Sequence, residues 1–389
     1  TGEFGNNLRE VDARGRTLGE KISSAPIVGN NLHTSLDLKS HQAAHKALNN
    51  RKGAVVAIDI KDGSIVTLFS SPTFPTNQLA NGILQKDFDE LLLSEEKPFF
   101  NRALKGRYPP ASAIKPAIAM YGIEEGLIDW NFSIFDEGFF TLPEDGRIYR
   151  DWKEGGHGNT NLFKAITQSS NTYFFDLAYR SDINQLNKHL LSLGFGDKAC
   201  IDCFEEDKAF VPEPSWKMNK HNFGWFKGDT VNMGVGQGYL VSTPVQLAKY
   251  AYIIANKGKF SDLSLKKDLV KSEKSIEFNK FSNDDWFKLH ESMINVVEGN
   301  TGTARRLREK KNYIVAAKTG TAELVSGDNR EQYSETRLDD NLRDHALIIA
   351  FGPMPNPRYA VSVVVENGES GGSVAGPVAI SVLNSLIQE

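Results

Sequence analysis

Three short motifs, far apart in the sequence, constrain the fold of this chain more than any other feature. They are Ser112-Ala113-Ile114-Lys115, Ser169-Ser170-Asn171 and Lys318-Thr319-Gly320-Thr321. Together they carry the hydroxyl, amine and amide groups from which a serine nucleophile and its proton carriers can be built. If the motifs form one site, the fold must bring a helix start, a loop and a strand to the same place.

The first motif is predicted to begin a helix. The prolines at positions 109–110 disfavour helix before Ser112, whereas Pro116 suits a first helical turn, where no intrahelical donor is lost. On a helix, Lys115 lies on the same face as Ser112. A lysine acts as the base for a serine only if burial or another cation lowers its pKa. We expect the positive charge of Lys318 to help lower the pKa of Lys115.

The other two motifs supply the remaining groups of an acyl-transfer site. We expect Ser169 to relay a proton to the leaving amine. We expect Asn171 to hold Lys115 and to donate to a substrate amide. Lys318 and its strand are expected to bind the substrate carboxylate and to pair along the peptide that is cleaved.

An acyl-transfer site also needs two N–H donors for the developing oxyanion. The backbone N–H groups of Ser112 and Thr321 are the candidates. The candidate catalytic residues are Ser112, Lys115, Ser169, Asn171 and Lys318, and the candidate substrate-binding residues are Thr319, Gly320 and Thr321.

The prediction of an acyl-transfer site depends on the three motifs occurring together in this order, and not on any single motif. The Ser-x-x-Lys pattern also begins at Ser94 and Ser264, but those copies lack the preceding prolines and the apolar helix. The Ser-x-Asn and Lys-Thr-Gly patterns each occur once in the chain. Class A β-lactamases and penicillin-binding proteins typically contain all three motifs: Ser-x-x-Lys, Ser-x-Asn and Lys-Thr-Gly.

The hydrophobic pattern predicts an α/β fold. Two β-rich runs, 54–60 and 64–69, flank an Asp-Gly turn and predict a hairpin. Three more runs, at 313–317, 345–351 and 359–366, are too apolar to have one face in solvent. They are therefore predicted to be central strands of a sheet.

Helices are predicted at two further places. Thr243-Pro244 has the cap and proline of a helix start, and residues 376–388 form a last helix. The middle of the chain, 125–310, is mostly helical in pattern. Residues 72–106 are predicted to be irregular, and the polar loop 327–342 is predicted to be functional or disordered because of its length.

Charge and cysteine content exclude some classes of function. The chain has 45 basic and 49 acidic residues with a net charge of −4, and no basic run or stripe stands out. Nucleic acid is therefore not an expected partner. No stretch approaches about 18 apolar residues, so no segment is expected to span a membrane. Cys200 and Cys203 form either a disulfide or two free thiols, since zinc would need a second pair of ligands.

The motifs and their surroundings resemble those of class B penicillin-binding proteins, most closely the elongation-type penicillin-binding protein 2. The resemblance extends from about residue 33 to the end of the chain. It includes the nucleophile segment 108–116, the segment 151–158 before Ser-x-Asn, the loop and turn 228–239, and the strand 344–347 after Lys-Thr-Gly. Residues 1–32 resemble the end of that family's pedestal domain. We therefore expect two domains, 1–32 and a transpeptidase domain at 33–389.

The resemblance implies both a fold and an activity. The implied fold is that of serine β-lactamases and D,D-peptidases, a five-stranded sheet flanked by helices with an all-helical lobe beside it. The implied activity is peptidoglycan D,D-transpeptidation in cell elongation. Ser112 would attack the D-alanyl-D-alanine bond of a stem peptide, release D-alanine and pass the acyl group to the amine of another stem. β-Lactams would acylate the same serine, and no cofactor is expected.

The resemblance also implies partners and a location. The expected partners are peptidoglycan stem peptides, β-lactam antibiotics and, in the full-length membrane protein, a SEDS-family glycan polymerase. The expected location is the periplasmic side of the bacterial inner membrane. The membrane anchor and most of the pedestal are expected to be missing from this chain.

Two positions depart from the family pattern. Ala111 stands where many relatives have glycine, and we expect a tight turn to tolerate it. In some relatives, two aspartates, a histidine and a cysteine hold zinc. Here Asp136, Asp151 and His157 match, but the fourth position is Ser170. Loss of the thiolate removes the strongest zinc ligand, so no metal is predicted. The alternative is a hydrogen-bonded cluster that orders this segment.

Two other functions stay open at this point. A β-lactamase-like hydrolase or D,D-carboxypeptidase would need a carboxylate placed to activate water. Glu205, Glu206 and Glu213 lie in the right broad region but in no recognisable motif. A non-enzymatic β-lactam sensor would keep the serine but fail to process D-alanyl-D-alanine peptides.

Overall fold

A computed structural model describes residues 2–267, 269, 271–324 and 342–388 of the chain. The predicted polar loop at 327–342 lies outside the described residues, apart from Leu342. The strands are β1 (Asn6–Val11), β2 (Thr17–Ser24), β3 (Gly53–Asp59), β4 (Ser64–Ser71), β5 (Ser133–Asp136), β6 (Phe139–Thr141), β7 (Ile148–Arg150), β8 (Gly158–Asn161), β9 (Lys259–Ser261), β10 (Glu273–Ser275), β11 (Ile314–Ala322), β12 (His345–Met354) and β13 (Tyr359–Val365).

The helices lie on both faces of the main sheet and in a lobe beside it. They are α1 (Leu38–Leu48), α2 (Thr76–Asn81), α3 (Gln85–Leu93), α4 (Arg102–Lys105), α5 (Lys115–Glu124), α6 (Leu162–Gln168), α7 (Asn171–Arg180), α8 (Ile183–Ser192), α9 (Pro214–His221), α10 (Lys227–Gly234), α11 (Pro244–Ala255), α12 (Asn283–Glu298) and α13 (Gly376–Ile387). Short 3₁₀ turns cover Ala111–Ile114 and Arg305–Lys310, and a π-helical turn covers Gly371–Ala375.

The main sheet has five antiparallel strands in the order β11-β12-β13-β3-β4. The predicted hairpin is confirmed as β3 and β4, and it shares this sheet with the three C-terminal strands. The prediction of central strands holds for β12 and β13 but is wrong for β11, which is an edge strand of the sheet. Its apolar pattern arises because helices cover both of its faces, whereas one of its hydrogen-bonding edges pairs with no strand within the described part of the chain.

Two hydrophobic cores cover the two faces of this sheet. On one face, α11 packs on β3 and β13, and all of its residues are buried. Its predicted start is confirmed, because Thr243 and Gln246 form a capping box. On the other face, α1 and α13 pack against each other and against Val315 and Ala317 of β11.

Two predictions about irregular and helical segments need correction. Residues 72–106 are not irregular, because they contain α2, α3 and α4. The prolines there limit the length of each helix but do not prevent short ones. The middle of the chain is mostly helical, as predicted, but it also holds three short strand pairs. These pairs are β5 with β8, β6 with β7, and β9 with β10.

The N-terminal segment forms a hairpin of its own, in which β1 pairs with β2 and both strands are largely exposed. Its assignment to a pedestal domain stays a prediction. Cys200 and Cys203 form a disulfide in this structure, which decides between the two alternatives left by the sequence. Across the described ranges, every helix is too short or too polar to cross a membrane.

A buried ion pair joins α4 to the end of β13. Arg102 Nε donates to Glu366 Oε1 at 2.9 Å, and the Arg102 side chain is only 4% exposed. Tyr108 donates its hydroxyl to the same carboxylate oxygen at 2.7 Å. This network therefore anchors the segment that leads into Ser112 against the main sheet.

We predict that Arg102→Ala lowers the free energy of unfolding by about 3–5 kcal/mol, because it leaves the Glu366 carboxylate without its cation. The matched control is Arg107→Ala. Arg107 pairs with Asp207 at 2.7 Å, but its side chain is 57% exposed, so its removal should cost only about 0–1 kcal/mol. Urea denaturation of both variants measures the difference, and equal losses would contradict this account of the network.

Candidate active site

Ser112 lies in a tight turn that directly precedes α5. The 3₁₀ turn Ala111–Ile114 runs into α5, which begins at Lys115 with Pro116 in its first turn, as the sequence predicted. Ala111 and Ala113 are buried, whereas Ser112 is partly exposed. The turn therefore presents the serine side chain while its neighbours fix the backbone.

The backbone before Ser112 is held in a strained conformation. Ala111 has a φ of 48°, in the left-handed region that favours glycine. Its N–H donates to the carbonyl of Gly236 at 2.9 Å. A Cβ on Gly236 would lie 2.3 Å from the Ala111 carbonyl oxygen. The turn tolerates alanine, as expected, but a left-handed alanine costs about 1–2 kcal/mol.

Lys115 is fully buried and points its amine at the second motif. Its Nζ donates to the Ser169 carbonyl at 2.8 Å, to Asn171 Oδ1 at 2.7 Å and to Ser169 Oγ at 3.3 Å. The expected contact between Asn171 and Lys115 is present, while the role given to Asn171 in the reaction stays a prediction. The amide nitrogen of Asn171 stays available to a ligand, because it is the oxygen that accepts from Lys115.

Lys318 approaches the same serine from the edge strand β11. Its Nζ donates to Ser169 Oγ at 2.8 Å and to the Thr319 carbonyl at 3.1 Å, and its side chain is fully buried. Ser169 itself has a φ of 62°, an uncommon conformation for a serine, at the end of α6. The Ser169 hydroxyl is thus held between two buried amines.

Burial shifts both lysines toward their neutral forms. It lowers the pKa of Lys115 to about 7, and the carboxylates of Asp151 and Asp136 oppose the shift. Burial also lowers the pKa of Lys318 well below its usual range, and the nearby charge of Lys115 adds to this effect. Burial, one of the two causes that the sequence analysis allowed, is therefore the main cause for both amines, and the field expected from Lys318 at Lys115 stays a prediction.

Asp151 ties the second motif to the segment before it. Its Oδ2 accepts the backbone N–H groups of Asn171 at 2.6 Å and Thr172 at 3.0 Å, at the start of α7. Burial raises the pKa of the Asp151 carboxyl, but hydrogen bonds from His157 and Thr172 and the charge of Lys115 outweigh it and lower the pKa to about 2. An ionised carboxylate therefore caps the helix that carries Asn171.

Asp136, Asp151 and His157 bring three possible metal ligands within 4.8 Å of one another. At the fourth position, Ser170 donates its hydroxyl to Asp136 Oδ2 at 2.7 Å and accepts the Tyr173 N–H at 3.2 Å. A neutral hydroxyl with both roles engaged is a poor substitute for a thiolate. These residues therefore fit the hydrogen-bonded cluster better than a structural zinc site.

Two contacts at the cleft were not predicted from the sequence. Trp152, 58% exposed, donates its indole N–H to the Ser169 carbonyl at 3.1 Å. No local sequence pattern distinguishes this tryptophan from the others, because its partner lies 17 residues away. Gln237 donates to the Thr321 carbonyl at 3.2 Å. That contact connects the glycine-containing turn 234–238 to the third motif.

The structure brings together the five candidate catalytic residues, but it does not test the roles given to them. Thr319, Gly320 and Thr321 follow Lys318 on β11, beside the same cleft. The assignment of the Ser112 and Thr321 N–H groups to an oxyanion site stays a prediction. As a whole, the arrangement has a partly exposed serine, a buried amine with a pKa near neutrality and a hydroxyl placed to carry protons. Those are the groups that serine acyl transfer needs.

Comparison with protein families and curated proteins gives consistent matches. The model of the penicillin binding protein transpeptidase domain matches residues 53–384. A protein of Acinetobacter baumannii named peptidoglycan D,D-transpeptidase MrdA is 39% identical over 94% of this chain and 55% of its own length. The protein of that name from Escherichia coli K12 is 33% identical over 99% of this chain and 62% of its own. The chain thus spans 55% to 62% of the length of these relatives.

Solved structures agree with these matches. A Pseudomonas aeruginosa PBP2 in complex with WCK 5153 is 35% identical with a TM-score of 0.84, covering 94% of this chain and 80% of its own. A Helicobacter pylori PBP2 in complex with MreC is 30% identical with a TM-score of 0.85, covering 100% of this chain and 69% of its own.

We predict that zinc stabilises Ser170→Cys but not the wild-type protein. A cysteine at this position would complete a set of four ligands with Asp136, Asp151 and His157. After chelator treatment, zinc should raise the melting temperature of Ser170→Cys by several degrees, because it binds the folded state. Ser170→Ala is the control and should not respond. Equal stabilisation of the wild type by zinc would contradict the hydrogen-bonded interpretation of the cluster.

Proposed function

Because the chain belongs to the penicillin-binding protein transpeptidase family, we propose that it crosslinks peptidoglycan through an acyl-enzyme on Ser112. The family is established by the match over 53–384 and by relatives that are 33% and 39% identical. The observation that best supports this activity is the position of the Ser169 hydroxyl, which accepts hydrogen bonds from the buried amines of Lys115 and Lys318.

In the first half-reaction, the neutral amine of Lys115 takes the proton of Ser112 while Oγ attacks the carbonyl carbon of the D-alanyl-D-alanine bond. The electron pair of the carbonyl moves onto its oxygen, where the N–H groups of Ser112 and Thr321 stabilise it. The C–N bond then breaks. The proton passes from Lys115 through the Ser169 hydroxyl to the leaving nitrogen, so that D-alanine departs with a neutral amine.

In the second half-reaction, the amine of another stem peptide attacks the ester carbonyl of acylated Ser112. By microscopic reversibility, the same groups carry its proton back. Ser169 takes the proton from the attacking nitrogen and passes it through Lys115 to Ser112 Oγ as the ester bond breaks. The product is a peptide bond between two stems, and the serine is restored.

Edge strand β11 supports the binding of an extended peptide. Among the residues that the structure describes, no strand pairs with its outer edge, so a stem peptide can pair along Lys318 to Thr321 by strand addition. The side chain of Lys318 and the residues after it would then bind the terminal carboxylate. A β-lactam would enter as an analogue of this peptide and acylate Ser112. A similar protein, the Pseudomonas aeruginosa PBP2, forms a complex with WCK 5153.

The partners proposed for the full-length protein come from its relatives. A Helicobacter pylori relative forms a complex with MreC. Another similar chain, 26% identical with a TM-score of 0.81 over 99% of this chain and 67% of its own, belongs to a peptidoglycan synthase complex. We propose that this chain likewise works in cell elongation beside a SEDS-family polymerase, on the periplasmic side of the inner membrane. It would be the catalytic domain of a membrane-anchored protein.

The hydrolase alternative is less well supported by the positions of the candidate carboxylates. Glu205 accepts from Asn101 at 2.7 Å. Glu206 accepts the backbone N–H groups of Ala199 and Cys200 at 2.7 and 2.9 Å. Glu206 therefore has a structural role in the disulfide loop. A carboxylate with both oxygens bonded to the backbone is poorly placed to activate water for deacylation.

We predict that excess penicillin gives a stable adduct of one equivalent on Ser112. Intact-mass spectrometry over several hours should record the adduct in the wild type and none in Ser112→Ala. The matched control is Ser94→Ala, which removes the serine of another Ser-x-x-Lys sequence and should keep the adduct. Rapid return to the unmodified mass with consumption of the drug would support the hydrolase instead. An adduct that survives in Ser112→Ala would contradict the choice of nucleophile.

The same preparation distinguishes an enzyme from a sensor. A thioester analogue of a stem peptide that ends in a D-alanyl group should be turned over by the wild type and not by Ser112→Ala. Penicillin acylation without any turnover of the thioester would support the sensor.

A further inference from the structure

Trp152 is a large side chain that contacts the second motif without being a core residue. It is 58% exposed. Its indole N–H donates to the Ser169 carbonyl at 3.1 Å, and the edge of one ring faces the other where it meets His157, with the ring centroids 5.6 Å apart. An indole has a single polar group, which can only donate. The hydrogen bond to Ser169 is therefore the contact of Trp152 that bears on the chemistry of the cleft.

Trp152 and its neighbour Asp151 hold two adjacent peptide groups of the second motif. Asp151 Oδ2 accepts the backbone N–H of Asn171 at 2.6 Å, while Trp152 donates to the carbonyl of Ser169. Ser169 ends α6 in a left-handed conformation, with a φ of 62°. Its carbonyl therefore lies outside the hydrogen bonding of a regular helix and depends on side-chain donors.

The same carbonyl oxygen is an acceptor for the amine of Lys115. Lys115 Nζ donates to it at 2.8 Å and to Asn171 Oδ1 at 2.7 Å. A neutral amine has two N–H bonds and one lone pair, so these two acceptors use both N–H bonds. The lone pair is left for a hydroxyl proton, which under the proposed function is that of Ser112. The direction of the lone pair thus depends on where the two acceptors are held.

Trp152 and Lys115 share the two lone pairs of the Ser169 carbonyl oxygen. The indole N–H brings the positive end of its dipole to this oxygen, which makes the oxygen a weaker acceptor for a second donor. A charged ammonium loses more from this than a neutral amine, because hydrogen bonds to charged groups are the stronger ones. The indole N–H therefore favours the neutral form of Lys115.

We propose that Trp152 is a positioning residue, which fixes the Ser169 carbonyl and so keeps the lone pair of Lys115 directed at the serine proton. This inference rests on the proposed function and adds to it a residue outside the three motifs. Trp152 carries no proton in the reaction. It acts on Lys115 through the oxygen that the two side chains share.

Other charged groups also face the Lys115 amine. The carboxylates of Asp151 and Asp136 favour its charged form. The amine of Lys318 lies on the other side of the Ser169 hydroxyl, to which both lysines donate. The substitutions used below leave these groups in place, so a change in the titration of Lys115 reports on the indole.

The test is the pH dependence of penicillin acylation in two variants of Trp152. Trp152→Phe keeps a ring beside His157 but removes the N–H. Trp152→Gln removes the ring but keeps an N–H donor at the same number of bonds from Cα. In Trp152→Phe, the midpoint of the rate should rise by about 0.5–1 pH unit, as loss of one hydrogen bond implies. The rate at pH 7 should then fall about two- to fivefold. Trp152→Gln should keep the midpoint of the wild type.

The matched control is Trp130→Phe. It makes the same substitution at a tryptophan whose indole N–H donates to Asp285 Oδ1 at 2.8 Å, at the start of α12. This variant should keep the wild-type midpoint. A wild-type midpoint in Trp152→Phe would overturn the proposal, even if its rate were lower at every pH, because that is the result of a purely structural role. A midpoint that rises equally in Trp152→Gln or in Trp130→Phe would overturn it as well.

A second measurement separates failure of this proposal from failure of the proposed function. If penicillin gives no adduct, or if the wild-type rate does not depend on pH, the proposed chemistry of Ser112 and Lys115 fails. The pKa of Lys115 is then measured directly by NMR of lysines labelled at Cε, with Lys115→Met to identify its signal. Trp152→Phe should raise this pKa by the same interval of about 0.5–1 unit. An unchanged pKa would overturn the proposal for Trp152 on its own.

Discussion

The hydrogen bonds of two buried lysine amines to one serine hydroxyl are the interaction on which the rest of the structure depends. A charged amine in a protein interior is unfavourable unless acceptors surround it. Lys115 and Lys318 meet that requirement only where α5, the turn before α7 and β11 converge on Ser169. The same burial that makes the arrangement costly lowers the pKa of Lys115 to about 7 and the pKa of Lys318 well below its usual range. A neutral amine is the form that can activate a serine.

Keeping these groups in place requires support from outside the site. Ala111 and Ser169 both have left-handed backbone conformations, one before the nucleophile and one beside the amines. Such strain persists only where the surroundings over-determine it. Gly236 supplies a close backbone contact on one side, and Asp151 holds the start of α7 on the other. Two extensive cores on the main sheet provide the stability that offsets this strain.

The sequence predicted that the five candidate catalytic side chains converge, because each motif has a chemical purpose and a recognisable local structure, while their catalytic roles stay a prediction. It could not predict that β11 is an edge strand, because burial of both faces gives the same apolar pattern for edge and central strands. The contacts of Asp151 with Asn171 and of Glu366 with Tyr108 were also missed. Their partners lie 20 and 258 residues apart, and no local pattern connects them. The left-handed φ of Ala111 was not predicted either, because its contact with Gly236 joins residues that are far apart in the sequence.

The measurement that tests the central claim most directly is the rate of acylation of Ser112 by penicillin as a function of pH. If the neutral amine of Lys115 is the base, the rate follows the fraction of Lys115 that has lost its proton. With a pKa of about 7 for Lys115, the rate constant should rise about tenfold for each pH unit below this value and level off above it. A rate that is constant from about pH 5.5 to 8.5, or that falls as pH rises, would contradict the assignment of Lys115 as the base.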